Sequence, residues 1–435
     1  MLKPNFRIRS LGQAAIDTPM QNYIPADSKH KVYVDESDKL LYENRVEFME
    51  NVPLPEQAYL DLAGPRRKIY FDPKKTRVGI VTCGGLCPGL NDVVRGLVLS
   101  LWHTYGVRCI YGFKYGYQGF IPKYGHDVIE LNPDKVDGWN DFGGTLLGSS
   151  RGEQPANEVV DCLERMGISI LFTIGGDGTL RGAKLIVDEI DRRGLKIAVV
   201  GIPKTIDNDI PYIDQSFGFV TAYTEAVSVL QGAHAESKGS PNGVGLVKLM
   251  GRSSGFIACH AALAMSEVNI CLIPEVPFSL EGEHGFLAVL EKRLKTRKHA
   301  VVVVAEGAGQ ELLGLSDEVD KSGNVKFKDI GVFLRDEINK HFAKINTEVN
   351  VKYFDPSYLI RSVPASPFDG IYCMRLSQNA VHAAMSGLTS VMVGHWRGEF
   401  VLVPMEVVVS AEAKRVDPNG SLWTSVVIAT GYIPK

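Results

Sequence analysis

The residues best equipped for chemistry lie in the stretch Gly201-Ile-Pro-Lys-Thr-Ile-Asp-Asn-Asp-Ile210, which follows the apolar run 196–200. Asp207 and Asp209 sit two apart, so in extended chain they share a face, as a base and a metal-holding partner would need. A solvated turn after a buried strand accounts for the same residues, since turns select Pro, Asn and Asp. A second acidic loop, Gly175-Gly-Asp-Gly-Thr179, also follows an apolar run. Two such loops ending strands in an alternating α/β pattern point to one crevice at the carboxyl edge of a sheet. The turn Gly84-Gly-Leu-Cys-Pro-Gly89 stands between a strand and a helix, where glycines let backbone N–H groups approach a phosphate. Tight packing alone also requires glycine there. Arg151, behind a Gly/Ser loop at 143–150, suits a bidentate phosphate contact or, equally, an exposed surface position. Glu306 ends the apolar run 301–305, and arginines stand at 252 and 361. Anion cradles, three carboxylates and these arginines are equipment for phosphoryl transfer, which needs charge neutralisation, in-line positioning and a base more than covalent help.

The elements that must carry these residues alternate. A strand at 76–83 leads through the glycine turn to a helix with apolar residues at Leu90, Val93, Val94, Leu97 and Leu101. Strands at 107–113, 168–174 and 196–200 alternate with helices at 158–166 and 179–193, which indicates a parallel, doubly wound sheet. Beyond Phe217 the pattern restarts, with a helix at 220–234, strands at 244–250, 270–273, 300–305 and 348–354, and helices at 254–264, 330–342 and 370–388. At 435 residues the chain exceeds one ordinary core. The expected organisation is α/β: an N-terminal extension over 1–75 with no sustained helical period, a domain of 76–218 plus 361–411, and a domain of 219–360 plus 412–435. A formal charge of −3 without a long basic run argues against nucleic acid as the main partner. No apolar run is long enough to span a membrane. The seven cysteines fall mostly in apolar patterns and read as reduced core residues of a cytoplasmic protein.

The set Gly175-Gly-Asp-Gly-Thr179, Pro203-Lys-Thr-Ile-Asp-Asn-Asp209, Lys248-Leu-Met-Gly-Arg252, Ile273-Pro-Glu275 and Ala305-Glu-Gly307 resembles the 6-phosphofructokinases, from about Gly64 to the C-terminus. Gly64-Pro65, 84–89 and Tyr358-Leu-Ile-Arg361 are similar to the long ATP-dependent branch of plants, protists and some bacteria. The resemblance implies two αβα sandwich domains, the first binding nucleotide and the second fructose 6-phosphate. It implies an allosteric, glycolytic, Mg²⁺-dependent kinase that consumes ATP and assembles as a homo-oligomer, expected as a tetramer. Asp207 would take the proton of the 1-hydroxyl, with Lys204, Thr205 and Arg252 assisting at the transferring group. Asp177 and Asp209 would hold Mg²⁺. Gly85, Arg151, Gly176, Asp177, Gly178 and Thr179 would meet the nucleotide. Thr205, Asp207, Asp209, Met250, Gly251, Arg252, Glu306, Tyr358 and Arg361 would line the sugar-phosphate site. Within the family, the residue after Asp177 separates donors: Gly178 matches ATP users, where pyrophosphate users carry aspartate, while Lys204 occurs with both. A pyrophosphate-dependent enzyme and a non-catalytic regulatory subunit of the same fold are the alternatives. The chain departs from the short bacterial pattern at Gly243 and Lys352, where arginines reach a neighbouring subunit's site. It departs also at Tyr358, where a histidine stands, and at Lys114, in place of an adenine-stacking tyrosine.

Overall fold

The structure, a computed structural model, describes residues 4–23, 32–44, 58–314 and 326–434. The chain divides into two units. The first comprises Met1–Thr205, Ile210–Gly218 and Val363–Glu412; the second comprises Ile206–Asp209, Phe219–Ser362 and Ala413–Lys435.

The first unit is built on a nine-stranded sheet. Its spatial order is Lys39–Leu41, Tyr59–Leu62, Glu399–Pro404, Val391–Trp396, Ala198–Pro203, Ile170–Gly175, Arg77–Thr82, Cys109–Phe113 and Val128–Glu130. The strands from Val391–Trp396 to Cys109–Phe113 pair in parallel, and the flanking strands are antiparallel. Strands Ile170–Gly175 and Ala198–Pro203 are buried at every position, as expected for strands covered on both faces. The helix Asp177–Arg192 buries Thr179, Leu180, Ala183, Ile186, Val187 and Ile190, one apolar stripe at helical spacing. Ala183, Ile186, Val187 and Ile190 of that stripe join Val81, Phe113, Leu163 and Val199 in one core, while Leu180 joins Leu60, Ile213, Met392 and Val401 in another.

The second unit holds a four-stranded, all-parallel sheet ordered Ile270–Leu272, His299–Ala305, Gly243–Leu249 and Asn350–Phe354. Its core runs from Val244 and Leu246 through Val302 and Val304 to Leu334 and Ile338 of the helix Ile330–Lys344. Among the described residues, no helix is long and apolar enough to cross a membrane. All seven cysteines are thiols outside any disulfide, and all but Cys109 are buried.

Several expectations change at this level. Residues 1–3, 24–31 and 45–57 of the extension lie outside the described residues, but its other parts carry strands: Tyr59–Leu62 extends the large sheet, and Arg9–Ser10 pairs with Leu388–Thr389. The strand expected at 196–200 runs over Ala198–Pro203, because its register against Ile170–Gly175 continues to Pro203. The helix expected at 370–388 spans Pro367–Met385. Ser366 caps its start with Pro367 in the first turn, and Gly387 at φ +79° takes the left-handed conformation that ends helices, leaving Leu388 to a strand.

Phe113 is fully buried and stacks on Phe120 with ring centroids 4.0 Å apart. Phe113→Ala is expected to destabilise the first unit by about 3–5 kcal/mol, read as a shift of its urea unfolding midpoint. A shift corresponding to less than about 1 kcal/mol would mean that this core collapses around the cavity.

Candidate active site

Three neighbouring parallel strands of the first unit deliver three loops to one edge. Strand Arg77–Thr82 ends at the glycine turn, Ile170–Gly175 at the first acidic loop and Ala198–Pro203 at Lys204. Pro203 lies opposite Gly175, and the ladder continues one residue further, with Lys204 N–H donating to Gly175 O at 2.9 Å. The Lys204 side chain is 6% exposed and donates through Nζ to Gly85 O at 2.8 Å. Glycine is required by close approach here. A Cβ at Gly176 would stand 3.2 Å from Lys204 O, and one at Gly175 would lie 2.1 Å from Thr179 Oγ1.

The first acidic loop is shorter than its sequence suggests, because Asp177, Gly178 and Thr179 form the first turn of the helix Asp177–Arg192. Their N–H groups lie at the positive end of that helix, where anions bind. Asp177 is about half exposed and pairs with Arg181 one turn on. Nothing lies within 4 Å of where a Cβ on Gly178 would be. Thr179 is buried, and its carbonyl accepts from Tyr117 OH at 2.8 Å. Arg151 is exposed at the end of a loop tied to the glycine turn by Gly84 N–H donating to Ser150 O at 3.1 Å. Burial pushes the nearby Cys83 thiol up to about 12, so it is no nucleophile at neutral pH.

Residues 206–209 fall in the second unit, and their conformation departs from expectation. Asn208 has φ +56°, so the chain from Asp207 to Asp209 is not extended and the two carboxylates do not share a face by strand alternation. Asparagine tolerates this left-handed conformation better than most residues. The segment is held by its backbone: Ser254 Oγ donates to Asp207 O at 3.0 Å, and Lys414 N–H donates to Asp209 O at 2.7 Å. Arg252 N–H donates to Asp207 Oδ2 across a long 3.4 Å.

The other residues of this group leave the carboxyl ends of the four-stranded sheet. Met250, Gly251 and Arg252 follow Gly243–Leu249, Glu306 follows His299–Ala305, and the 355–361 segment follows Asn350–Phe354. Gly251 has φ +134°, and Gly307 approaches so closely that a Cβ would lie 1.9 Å from Arg252 O. Burial raises the Glu306 carboxyl above its usual range, against the pull of Lys248, Arg252 and Arg361. The Arg252 guanidinium lies 4.4 Å from the Phe327 ring centre and that of Arg361 lies 4.6 Å from that of Tyr358. Arg361 Nε is buried without a hydrogen-bond partner, while Tyr358 is 74% exposed.

Glu275 and Ser254, to which the sequence motifs assign no role, also take part. Glu275 Oε1 accepts from Gly255 N–H at 2.9 Å and Val416 N–H at 2.8 Å, and Oε2 is buried without a partner. The signal was present, since Ile273-Pro-Glu275 ends a buried strand as Ala305-Glu306 does. Gly243 carries a different message: a Cβ there would lie 2.1 Å from Ser237 O, so the packing leaves no room for an arginine.

The family model for phosphofructokinase matches residues 77–384. An ATP-dependent 6-phosphofructokinase of Borreliella burgdorferi is 48% identical, covering 98% of this chain and 96% of its own. ATP-dependent 6-phosphofructokinase 7 of Arabidopsis thaliana is 46% identical, covering 95% of this chain and 84% of its own. Among solved structures, a pyrophosphate-dependent phosphofructokinase from Marinobacter aquaeolei shares the fold with a TM-score of 0.66 at 20% identity, over 83% of this chain and 92% of that one. Near half identity along almost the whole length, on strands that end in these loops, leaves one conclusion: the chain belongs to the phosphofructokinase family.

Proposed function

We propose that this protein transfers the γ-phosphoryl group of ATP to the 1-hydroxyl of fructose 6-phosphate, giving fructose 1,6-bisphosphate and ADP. The hydroxyl proton passes to Asp207 as the new O–P bond forms, and the bond to the β-phosphate oxygen breaks. The observation that carries this reading is the hold on Asp207: Ser254 fixes its carbonyl, and the N–H of Arg252 meets its Oδ2. A base whose position is set by the same segment that supplies a phosphate-binding arginine needs little reorganisation during reaction. A long carboxylate contact, of a kind that tightens when substrate binds, is compatible with that role.

The remaining roles follow from chemistry. Gly85, Gly176, Gly178 and Thr179 offer close backbone approach or helix N–H groups to the phosphates of the nucleotide, and Arg151 and Lys204 offer positive charge. Accordingly, 76–218 with 361–411 serve as the nucleotide domain and 219–360 with 412–435 as the sugar-phosphate domain, with 1–75 as an extension. Thr205, Asp209, Met250, Gly251, Arg252, Glu306, Tyr358 and Arg361 line the sugar-phosphate site. Asp177 and Asp209 suit Mg²⁺, a hard cation that takes one or two carboxylates and fills its other positions with water and phosphate oxygens. Among the described residues no three His, Cys, Asp or Glu side chains gather into a metal group, so phosphate would complete the donor set. Bound there, Mg²⁺ would neutralise charge on the transferring phosphoryl group. A homo-oligomer, expected to be a tetramer, and a cytoplasmic location complete the reading. Pyrophosphate as donor is the alternative, favoured by buried Lys204, but an ammonium attracts either donor and Gly178 decides for ATP.

Asp207→Asn is expected to fold and bind both substrates while losing about 10²–10⁴-fold in kcat. Turnover within about threefold of wild type would remove Asp207 from the role of base. Arg252→Ala and Arg361→Ala should chiefly raise KM for fructose 6-phosphate, since a charge-assisted hydrogen bond contributes about 1.5–3 kcal/mol. An unchanged KM in both places the sugar phosphate elsewhere. Gly178→Asp tests the donor cleanly, because the position is sterically open and a helix N-terminus accepts aspartate. Two like charges about 4 Å apart at an effective dielectric near 20 repel by about 4 kcal/mol, roughly three decades in rate or affinity. ATP activity should therefore collapse in this variant while thermal stability holds. Unchanged ATP kinetics, or a wild type equally active with pyrophosphate, would sink the assignment.

A further inference from the structure

Lys248 stands near the end of the strand Gly243–Leu249, two residues before Met250. Val244 and Leu246, its neighbours on the same strand face, belong to the apolar core of the second unit. The lysine stem continues that face, and its ammonium reaches polar partners at the carboxyl edge. There it is 12% exposed, donating to Asp329 Oδ2 at 2.7 Å and to Asp355 Oδ2 at 2.9 Å.

Each carboxylate also fixes another segment. Asp329 caps the helix Ile330–Lys344, its Oδ1 accepting from Val332 N–H at 3.0 Å and from Tyr353 OH at 3.0 Å. The first turn of that helix sits on the Tyr353 ring, which a Cβ at Gly331 would approach to 2.3 Å. Asp355 accepts from Ser357 N–H at 3.2 Å and from its hydroxyl, folding the start of the segment that runs to Tyr358 and Arg361. One ammonium thus joins the strand that delivers Arg252, the cap of a core helix and the base of the segment that delivers Arg361. Burial works against this charge, but the two carboxylates overcome it and keep Lys248 protonated. The Glu306 carboxyl senses Lys248, Arg252, Asp355 and Arg361 together, which places them in one electrostatic neighbourhood.

We infer that Lys248 is a positioning residue for sugar-phosphate recognition, tying Asp355 and the segment ending in Arg361 to the strand that carries Arg252. It also offsets two carboxylates that would otherwise repel an anionic substrate. This rests on the fructose 6-phosphate reading given above. The residue touches no reacting atom, so its removal acts on binding of the sugar phosphate and spares the chemical step and the nucleotide.

The test is steady-state kinetics on the full-length protein with Mg²⁺, varying fructose 6-phosphate at saturating ATP and ATP at saturating fructose 6-phosphate. Lys248→Met is expected to raise KM for fructose 6-phosphate about tenfold or more, with kcat within about threefold and KM for ATP unchanged. Lys248→Arg, which retains the charge, should keep KM within about threefold of wild type. A Lys248→Met protein with a wild-type melting temperature and KM within about twofold overturns the inference, as does a parallel rise in KM for both substrates. So does a KM raised equally by Met and Arg. Should Lys248→Met fail to fold, Lys248→Gln, which keeps a donor for one carboxylate, is read by the same criteria. A wild type inert on fructose 6-phosphate with ATP overturns the functional reading, and the inference with it; an active wild type with an unaltered KM in the variant overturns the inference alone.

Discussion

One backbone hydrogen bond, from Lys204 N–H to Gly175 O at 2.9 Å, carries the parallel ladder past the end of its strands. Pro203, just before it, has no N–H to donate, so this is where the pairing either resumes or is lost. Because it resumes, the loop that begins with Lys204 leaves the sheet beside the helix that begins with Asp177. The Lys204 side chain then turns back to Gly85 on the loop of the next strand but one, so three chain segments are fixed by one residue's two nitrogens.

That arrangement has an energetic cost. An ammonium only 6% exposed has given up solvation that it had in water. Local rules are also broken at Asn208, with a left-handed backbone, and at Glu306, a carboxyl raised by burial. Departures of this kind gather where a site is built for charge that arrives with a ligand. In the first unit, the strands Ile170–Gly175 and Ala198–Pro203, buried along their whole length, supply the stability that a buried ammonium does not.

Glycine decides how closely the loops approach. At Gly251 and Gly307 the backbone itself is the contact surface: an added methyl would collide with Ser254 O of the same loop at Gly251 and with Arg252 O of the neighbouring loop at Gly307. Gly243 shows the same constraint, since its packing against Ser237 O excludes any side chain. The guanidinium groups of Arg252 and Arg361 are each held against an aromatic ring, Phe327 and Tyr358 respectively.

Much of this was legible in the sequence. Apolar runs and helical periods marked the alternating strands and helices, and compact motifs such as Gly175-Gly-Asp-Gly-Thr179 and 203–209 marked the chemistry, because both signals reside in contiguous residues. The phosphofructokinase resemblance rested on those same short motifs. Other features were not legible. The alternation argument for Asp207 and Asp209 failed because a single φ at Asn208 changes the direction of the chain, and no period encodes it. The roles of Ser254, Glu275 and Lys414 were hidden because their partners lie far away in sequence. The strands of the extension were missed because an edge strand such as Tyr59–Leu62 acquires its structure by pairing with Glu399–Pro404. The sequence alone determined which elements form and which residue types stand at their ends. Only the tertiary structure decided which carboxylate meets which amide, because hydrogen bonds and close packing depend on distances between segments that local propensity does not encode.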